Sequence, residues 1–218
     1  MFDTKSLEPE CKYGRGDFAE LHQDYHPYRN KLAGRSNLRL FLGLLARLKT
    51  YLVQSYIKRI ARKKGAIIGK TSYITYELAK KANSNLVVGE HCCISTSDID
   101  LRSRVVIEDY VMISAAVRIL RASHNIDSPV FETTYHDLHI EPYVWLVGCL
   151  VLPRTGLIGF GAVCGAGSVI AHDVPAMAVM GGNPAKQLRI RKQVHNAYFP
   201  ECLKGGDYLI YKSCMKQE

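Results

Sequence analysis

One short stretch of the chain, SHNIDSPVFETTYHDLH, holds His124, Asp127, His136 and His139, the side chains best suited to acid–base work. A neutral imidazole can take the proton from a weak nucleophile as that nucleophile attacks. The ordinary imidazole pKa of about 6.5 suits that task near neutrality. Asp127 could orient such an imidazole, or could simply turn the loop ahead of Pro129. His136 and His139 form an HxxH pair, but no third ligand accompanies them, so no metal is expected. By residue type alone His124 is one of eight histidines, and a loop histidine is ordinarily just solvated. Its position in the chain says more than its type.

On both sides of that stretch the sequence keeps a six-residue rhythm. Ile140, Leu146, Leu152, Ile158, Cys164 and Ile170 recur at this step, and Val144, Leu150, Gly156, Ala162, Ser168 and Val174 follow four places after each. Upstream, Leu101, Ile107, Ile113 and Ile119 keep the same step, with Ile68/Ile74 and Val88/Ile94 as shorter instances. An α-helix cannot use this period, because six residues turn it by about 600° and successive key residues would point about 120° apart. Short strands with a bend every six residues can use it, since each key residue then returns to an inward position. Gly159 and Gly165, directly after a key residue, fit bends that need positive φ. The pattern predicts an all-β solenoid of hexapeptide repeats. Between Ile119 and Ile140 the spacing is not a multiple of six, so residues 121–139 must leave the coil as a loop, where function tends to sit.

Residues 36–64 read as a helix capped by Ser36 or Asn37 and ended by Gly65. Phe41, Leu45, Leu48, Leu52, Tyr56 and Ile60 form one apolar stripe, widened by Leu40, Leu44 and Tyr51. This stripe could pack on the protein's own body, or it could lie on an anionic membrane surface. The net charge of +9 is concentrated here: from Tyr25 to Tyr76 there are twelve Lys and Arg and no Asp or Glu. The organisation expected is an N-terminal helical segment (1–64), a β-helix domain (65–183) with the loop 121–139, and a C-terminal extension (184–218) holding a helix and a short strand. Residues 1–35 are expected to form short helices or irregular structure.

Residues 1–30 are polar and resemble no secretory signal, and no run approaches the roughly 18 apolar residues of a membrane span. The seven cysteines, including Cys11, Cys149 and Cys164, form no paired CxxC set and read as reduced thiols. A cytoplasmic protein is expected, with peripheral membrane contact through residues 36–64 as the alternative to packing on the body. The run Gly159-Phe160-Gly161-Ala162-Val163-Cys164 is no dinucleotide fingerprint, because its last glycine is missing and no strand-then-helix context surrounds it. Nucleic acid is not an expected partner, because the aromatics of the basic segment lie on the apolar stripe and form no stacking platform.

The combination of SHNIDSPVF, IEPYVWLVG, IGFGAVCGAGSVIAHDVP and GGNPAKQLR resembles the hexapeptide-repeat O-acetyltransferases, the group of galactoside, maltose, exopolysaccharide and O-antigen acetyltransferases. The resemblance spans roughly residues 65–192. It implies a left-handed parallel β-helix, a homotrimer with active sites between neighbouring subunits, acetyl-CoA as co-substrate, and a sugar or glycan hydroxyl as acceptor. It implies that His124 is the catalytic base. It places Trp145 near the active site, and Gly148, Ala166, His172, Lys186 and Arg189 against acetyl-CoA. The small residues would let the pantetheine arm approach backbone, and the cations would meet phosphate. Ser95 stands where galactoside-type relatives carry an asparagine at the acceptor. Ala171-His172 replaces their usual Thr-Lys, and Pro153-Arg154-Thr155-Gly156 their Pro-Gly-Val-Thr. An N-acetyltransferase on an amino sugar nucleotide, a xenobiotic acetyltransferase, and a non-enzymatic β-helix binding protein are the competing readings.

Overall fold

The computed structural model describes residues 27–194 and 199–215; Cys11 and the irregular structure expected before residue 27 lie outside them. From Ile67 onward the backbone winds into about six turns of a left-handed coil with three flat faces. The first face stacks β1 (Ile67–Ile68), β3 (Leu86–Val88), β5 (Val105–Ile107), β10 (Leu138–Ile140) and β13 (Leu157–Ile158). The second stacks β2 (Tyr73–Ile74), β4 (Cys93–Ile94), β6 (Met112–Ile113), β11 (Trp145–Leu146), β14 (Val163–Cys164) and β16 (Ala178–Gly181). The third holds β7 (Arg118–Ile119), β12 (Leu150–Val151) and β15 (Val169–Ile170). All of these pair in parallel, and the antiparallel β17 (Lys186–Ile190) closes the second face.

The inward column is built from the six-step residues: Ile68, Ile74, Val88, Ile94, Ile107, Ile113, Ile119, Ile140, Leu146, Ile158, Cys164 and Ile170 are all buried. Two turns depart from the expected register: in the earlier one Ile99 rather than Leu101 bridges Ile119, and in the later one the shift falls at Leu152. Val151, not Leu152, points inward, and Cys149 and Thr155 are buried in place of Leu150 and Gly156. The bend after Leu146 is one residue short, and Gly148 within it takes φ +50°. The next corner is one residue long, and there the Thr155 hydroxyl donates to the Ile170 carbonyl at 3.1 Å.

The bend glycines also differ from expectation. Positive φ falls on Gly161 and Gly167, two residues beyond Gly159 and Gly165. Gly159 is needed for close approach instead, since a Cβ there would lie 2.5 Å from the Ala176 nitrogen. At the corner between first and second faces, His91, Tyr110, Tyr143 and Met177 all take the left-handed conformation. Tyr110 stacks on His91 at 4.9 Å and on Tyr143 at 5.0 Å, so aromatic contact holds bends that glycine would otherwise make.

Helix α1 (Pro27–Ala33) leads into α2 (Asn37–Lys63), while α3 (Tyr76–Lys81) takes the place of a third-face strand in the first turn. The expected helix is present, but its orientation reverses the packing reading. The stripe residues Phe41, Leu45, Leu52 and Tyr56 are exposed, while Gln54 and Lys58 are buried. The cause lies in the coil's first turn, whose edge presents unpaired backbone groups. Gln54 pairs with the backbone of Ile74 through both amide atoms, at 3.2 Å each. Lys58 Nζ donates to the carbonyls of Lys70 at 2.5 Å and Ser72 at 3.1 Å, and Arg62 donates to that of Ile68 at 2.6 Å. These side chains at i, i+4 and i+8 share one helix face, and they seal the edge.

The C-terminal segment returns to this end of the molecule. A 3₁₀ turn, Pro200–Lys204, and α4 (Tyr208–Cys214) pack with Leu32 and Leu40 around Phe199, Ile210 and Tyr211. Asp207 accepts from Arg47 at 2.6 Å and from the Tyr28 hydroxyl at 2.5 Å, and His91 Nδ1 lies 2.8 Å from the buried Glu201 carboxylate. Among the described residues no helix is long and apolar enough to cross a membrane.

Candidate active site

The chain leaves the coil after β7, at the corner between third and first faces, as a hairpin of β8 (Ala122–His124) and β9 (Thr133–Tyr135). Its neck is closed by Arg121, which is fully buried. The guanidinium donates to the carbonyls of Leu120 (2.6 Å), Asp137 (3.1 Å), Thr155 (2.7 Å) and Leu152 (2.5 Å). One planar fork thus joins the hairpin's first residue, its return strand and the next coil. Burial pulls the Arg121 pKa down to about 10, partly offset by Asp100 and Asp137, so the group stays charged at neutral pH.

His124 ends β8, opposite Thr133, and is exposed. Its Nδ1 lies 3.0 Å from the carbonyl oxygen of Phe131, and the two rings stack 4.5 Å apart and 5° from parallel. A carbonyl only accepts, so in the neutral ring Nδ1 carries the proton and Nε2 keeps its lone pair. Asp127 sits exposed in the connection, where its own N–H donates to Asn125 Oδ1 at 3.2 Å. The described partner of the imidazole is a backbone carbonyl rather than the Asp127 carboxylate. His136 Nε2 lies 3.3 Å from Thr134 Oγ1, and His139 pairs with Glu108. Among the described residues no group of three metal-ligating side chains occurs.

The residues expected at the cofactor cluster elsewhere on the coil. Gly148 and Ala166 occupy the corner between second and third faces. A Cβ placed on Gly148 would lie 3.7 Å from the Ala116 Cβ and 3.8 Å from the Ala166 Cβ, so Ala116, Gly148 and Ala166 form one column of minimal side chains. The Gly148 N–H donates to Ser114 Oγ at 2.9 Å, which fixes the bend. Trp145 stands half-exposed on the adjoining second face, paired with Met112 and Val163. Lys186 and Arg189, opposite Gly181 and Val179, project exposed from β17 at the end of that face.

Two residues stand apart from this group. His172 lies exposed at the corner from which the hairpin springs. Ser95, at the end of β4, is two coils before Trp145; its N–H donates to Ile113 and its hydroxyl is 3.7 Å from Cys93 Sγ. Within one chain His124 and the Gly148 column therefore occupy different corners of the same triangular coil.

No family model matches the chain. A hexapeptide-repeat acetyltransferase of Vibrio cholerae O1 biovar eltor, solved with acetyl coenzyme A, superposes with a TM-score of 0.52 and 25% identity, covering 76% of this chain and 88% of its own. This chain has the fold of the hexapeptide-repeat acetyltransferases. A second structure of a Vibrio cholerae hexapeptide-repeat acetyltransferase gives the same TM-score at 21% identity, over 74% of this chain and 98% of its own, a likeness of fold alone. A Schizosaccharomyces pombe protein named as an acetyltransferase is 33% identical over 89 residues, 39% of this chain and 42% of that protein. That match spans less than half of the relative's length.

Within this acetyltransferase fold, sequence reading passed over Arg121 and Phe131. Arg121 had a visible signal: it falls two places after the inward Ile119, so a cation occupies a position of inward parity as the repeat breaks. Phe131 had none, because its contribution to Nδ1 is a main-chain oxygen.

Proposed function

We propose that this protein transfers the acetyl group of acetyl-CoA to a hydroxyl of a sugar or polysaccharide precursor, with His124 as general base. The observation that carries the reading is the bond from Nδ1–H of His124 to the Phe131 carbonyl, which leaves Nε2 as a proton acceptor at the tip of β8. As the acceptor oxygen attacks the thioester carbon, Nε2 takes the hydroxyl proton. The tetrahedral centre then collapses, the carbon–sulfur bond breaks, and the proton passes to the departing thiolate. Exclusive bonding of Nδ1 to a carbonyl keeps this lone pair available in the neutral ring.

The column Ala116, Gly148, Ala166 offers a surface on which a pantetheine arm can lie against backbone, beside the half-exposed Trp145. Lys186 and Arg189, exposed on β17, are assigned to the phosphates of acetyl-CoA. That acetyl-CoA is the donor is supported by the Vibrio cholerae relative solved with it.

Because His124 and this column leave different corners, a complete site needs the hairpin of one copy beside the corner of another. A homotrimer built on the flat faces of the coil supplies that arrangement. Incubation with acetyl-CoA and a panel of sugars, glycans and amino sugars, read by mass spectrometry, tests the reading. A gain of one acetyl group on a hydroxyl is expected; acetylation confined to amines would replace the O-transfer assignment.

A further inference from the structure

Helix α2 buries Gln54, Lys58, Ile57 and Ala61 against the coil and Leu40 against the C-terminal segment, and turns most of its large apolar side chains outward. Leu38, Leu45, Leu52 and Arg59 fall at seven-residue intervals along the outer face, beside a second row of Leu42, Lys49, Tyr56 and Lys63. Phe41 and Val53 flank them. Leu38 is 68% exposed, Leu52 58% and Tyr56 62%, and Arg39, Lys49, Arg59 and Lys63 are exposed as well. The apolar part, from Leu38 to Tyr56, is about 27 Å long at 1.5 Å per residue. Such a continuous apolar strip is unusual on the free surface of a protein and marks a contact.

The occupant follows from charge. From Tyr25 to Tyr76 the chain contains no carboxylate. A second copy of this helix laid on the first would bring Lys49, Arg59 and Lys63 against their own kind with no acid on either helix to pair them. An anionic lipid bilayer meets both features at once. Leucine and phenylalanine enter the boundary between headgroups and acyl chains, tyrosine sits at headgroup level, and the long cationic side chains reach phosphate. The cations spent on internal structure, Arg47 on Asp207 and Lys58 and Arg62 on backbone carbonyls, are not the ones on this face.

We propose that the outward face of α2 docks the protein, in the plane of the membrane, on the surface of a bilayer containing anionic phospholipid. The consequence for the acceptor, that a glycan carried on a lipid would be within reach, rests on the acetyl-transfer reading; the docking itself does not.

The test is flotation of the full-length chain with two vesicle preparations, phosphatidylcholine alone and phosphatidylcholine with phosphatidylglycerol, together with light scattering. Recovery with the phosphatidylglycerol vesicles only, and loss of recovery as salt is raised, is the expected result. Lys49→Gln and Arg59→Gln should each weaken partitioning about fivefold, and Leu45→Ser/Leu52→Ser should abolish it. All four side chains are solvent-facing, so thermal melting should be nearly unchanged. Equal recovery with both vesicles, none with either, or wild-type recovery of the leucine variant overturns the proposal. A leucine variant that dissociates into smaller particles while vesicle recovery is nil assigns the strip to a second copy instead. None of these outcomes depends on acetyl transfer, so each reading can fail without the other.

Discussion

The imidazole of His124 lies flat on the ring of Phe131, centroids 4.5 Å apart, while its Nδ1 meets the main-chain oxygen of that same residue at 3.0 Å. A single residue seven places along the hairpin therefore fixes both the plane and the tautomer of the ring. Stacking restrains rotation about the side-chain torsions, and the carbonyl selects which nitrogen is protonated.

Replacement of His124 by alanine should lower turnover by roughly 10²–10⁴-fold, the usual share of a general base. Acetyl-CoA affinity should barely change, since the proposed cofactor contacts come from the Gly148 column, Lys186 and Arg189 rather than from the imidazole. Asp127→Asn, at the exposed connection, should cost far less than His124→Ala. Steady-state kinetics of the three proteins checks this, and near-normal transfer by His124→Ala would send the search for a base to His136 or His139.

Arg121→Met should destabilise the protein by about 3–5 kcal/mol, because four main-chain carbonyls at the hairpin neck lose a charged donor in a buried site. Arg121→Lys keeps the charge without the fork, and it should fall between wild type and methionine. Urea midpoints measure the order of the three. If the methionine variant unfolds at the wild-type midpoint, the neck is held by something other than this guanidinium.

The solenoid was legible because its repeat is carried by side chains: an inward Ile, Leu or Cys every six residues leaves a period that no helix or ordinary strand produces. The register failed at Leu101, where Ile99 takes the inward place, and at Leu152, where a short bend at Gly148 and a long corner at Thr155 compensate each other over two successive corners, so the sum of spacings still looked regular. The existence of α2 was legible and its facing was not. Apolar periodicity shows which residues share a face, but what the opposite surface needs is set by the coil edge, which asked for Gln54, Lys58 and Arg62. At the site, His124 was marked by the break in the repeat. The feature that aims it is the Phe131 carbonyl, and a main-chain atom carries no sequence signature.

Lys186→Ala/Arg189→Ala should weaken acetyl-CoA binding and flatten its salt dependence. Loss of one charge-assisted contact to phosphate costs on the order of 1.5–3 kcal/mol, roughly ten- to a hundredfold in affinity. Both side chains project exposed from β17, so melting should be little affected. Isothermal calorimetry at two ionic strengths separates the cases. Unchanged affinity would return the pair to a merely solvated basic patch.

Lys58 ties stability to alkaline pH. Burial, reinforced by the nearby Arg62 charge, pushes its pKa down to about 8 from 10.5, against the pull of Glu90 and Glu201. Below pH 8 the side chain is protonated folded and unfolded alike, and the fold carries the cost of a desolvated ammonium. Between about 8 and 10.5 the unfolded chain binds the proton and the folded chain has released it. Stability therefore rises with pH through this window, since the unfolded state holds more protons there. The two and a half units correspond to about 3 kcal/mol at most. Other groups titrate in the same range: burial raises the Tyr110 pKa to about 12, so its contribution runs the opposite way above pH 10. Lys58→Met isolates the lysine. It also removes the donor to the Lys70 and Ser72 carbonyls, so it should be less stable than wild type at every pH. The gap between the two proteins should widen from pH 8 to 10, as wild type alone gains from deprotonation. Urea unfolding at half-unit pH steps measures that gap, and a constant or narrowing one would mean that Lys58 keeps its proton throughout, held by the carbonyls it caps.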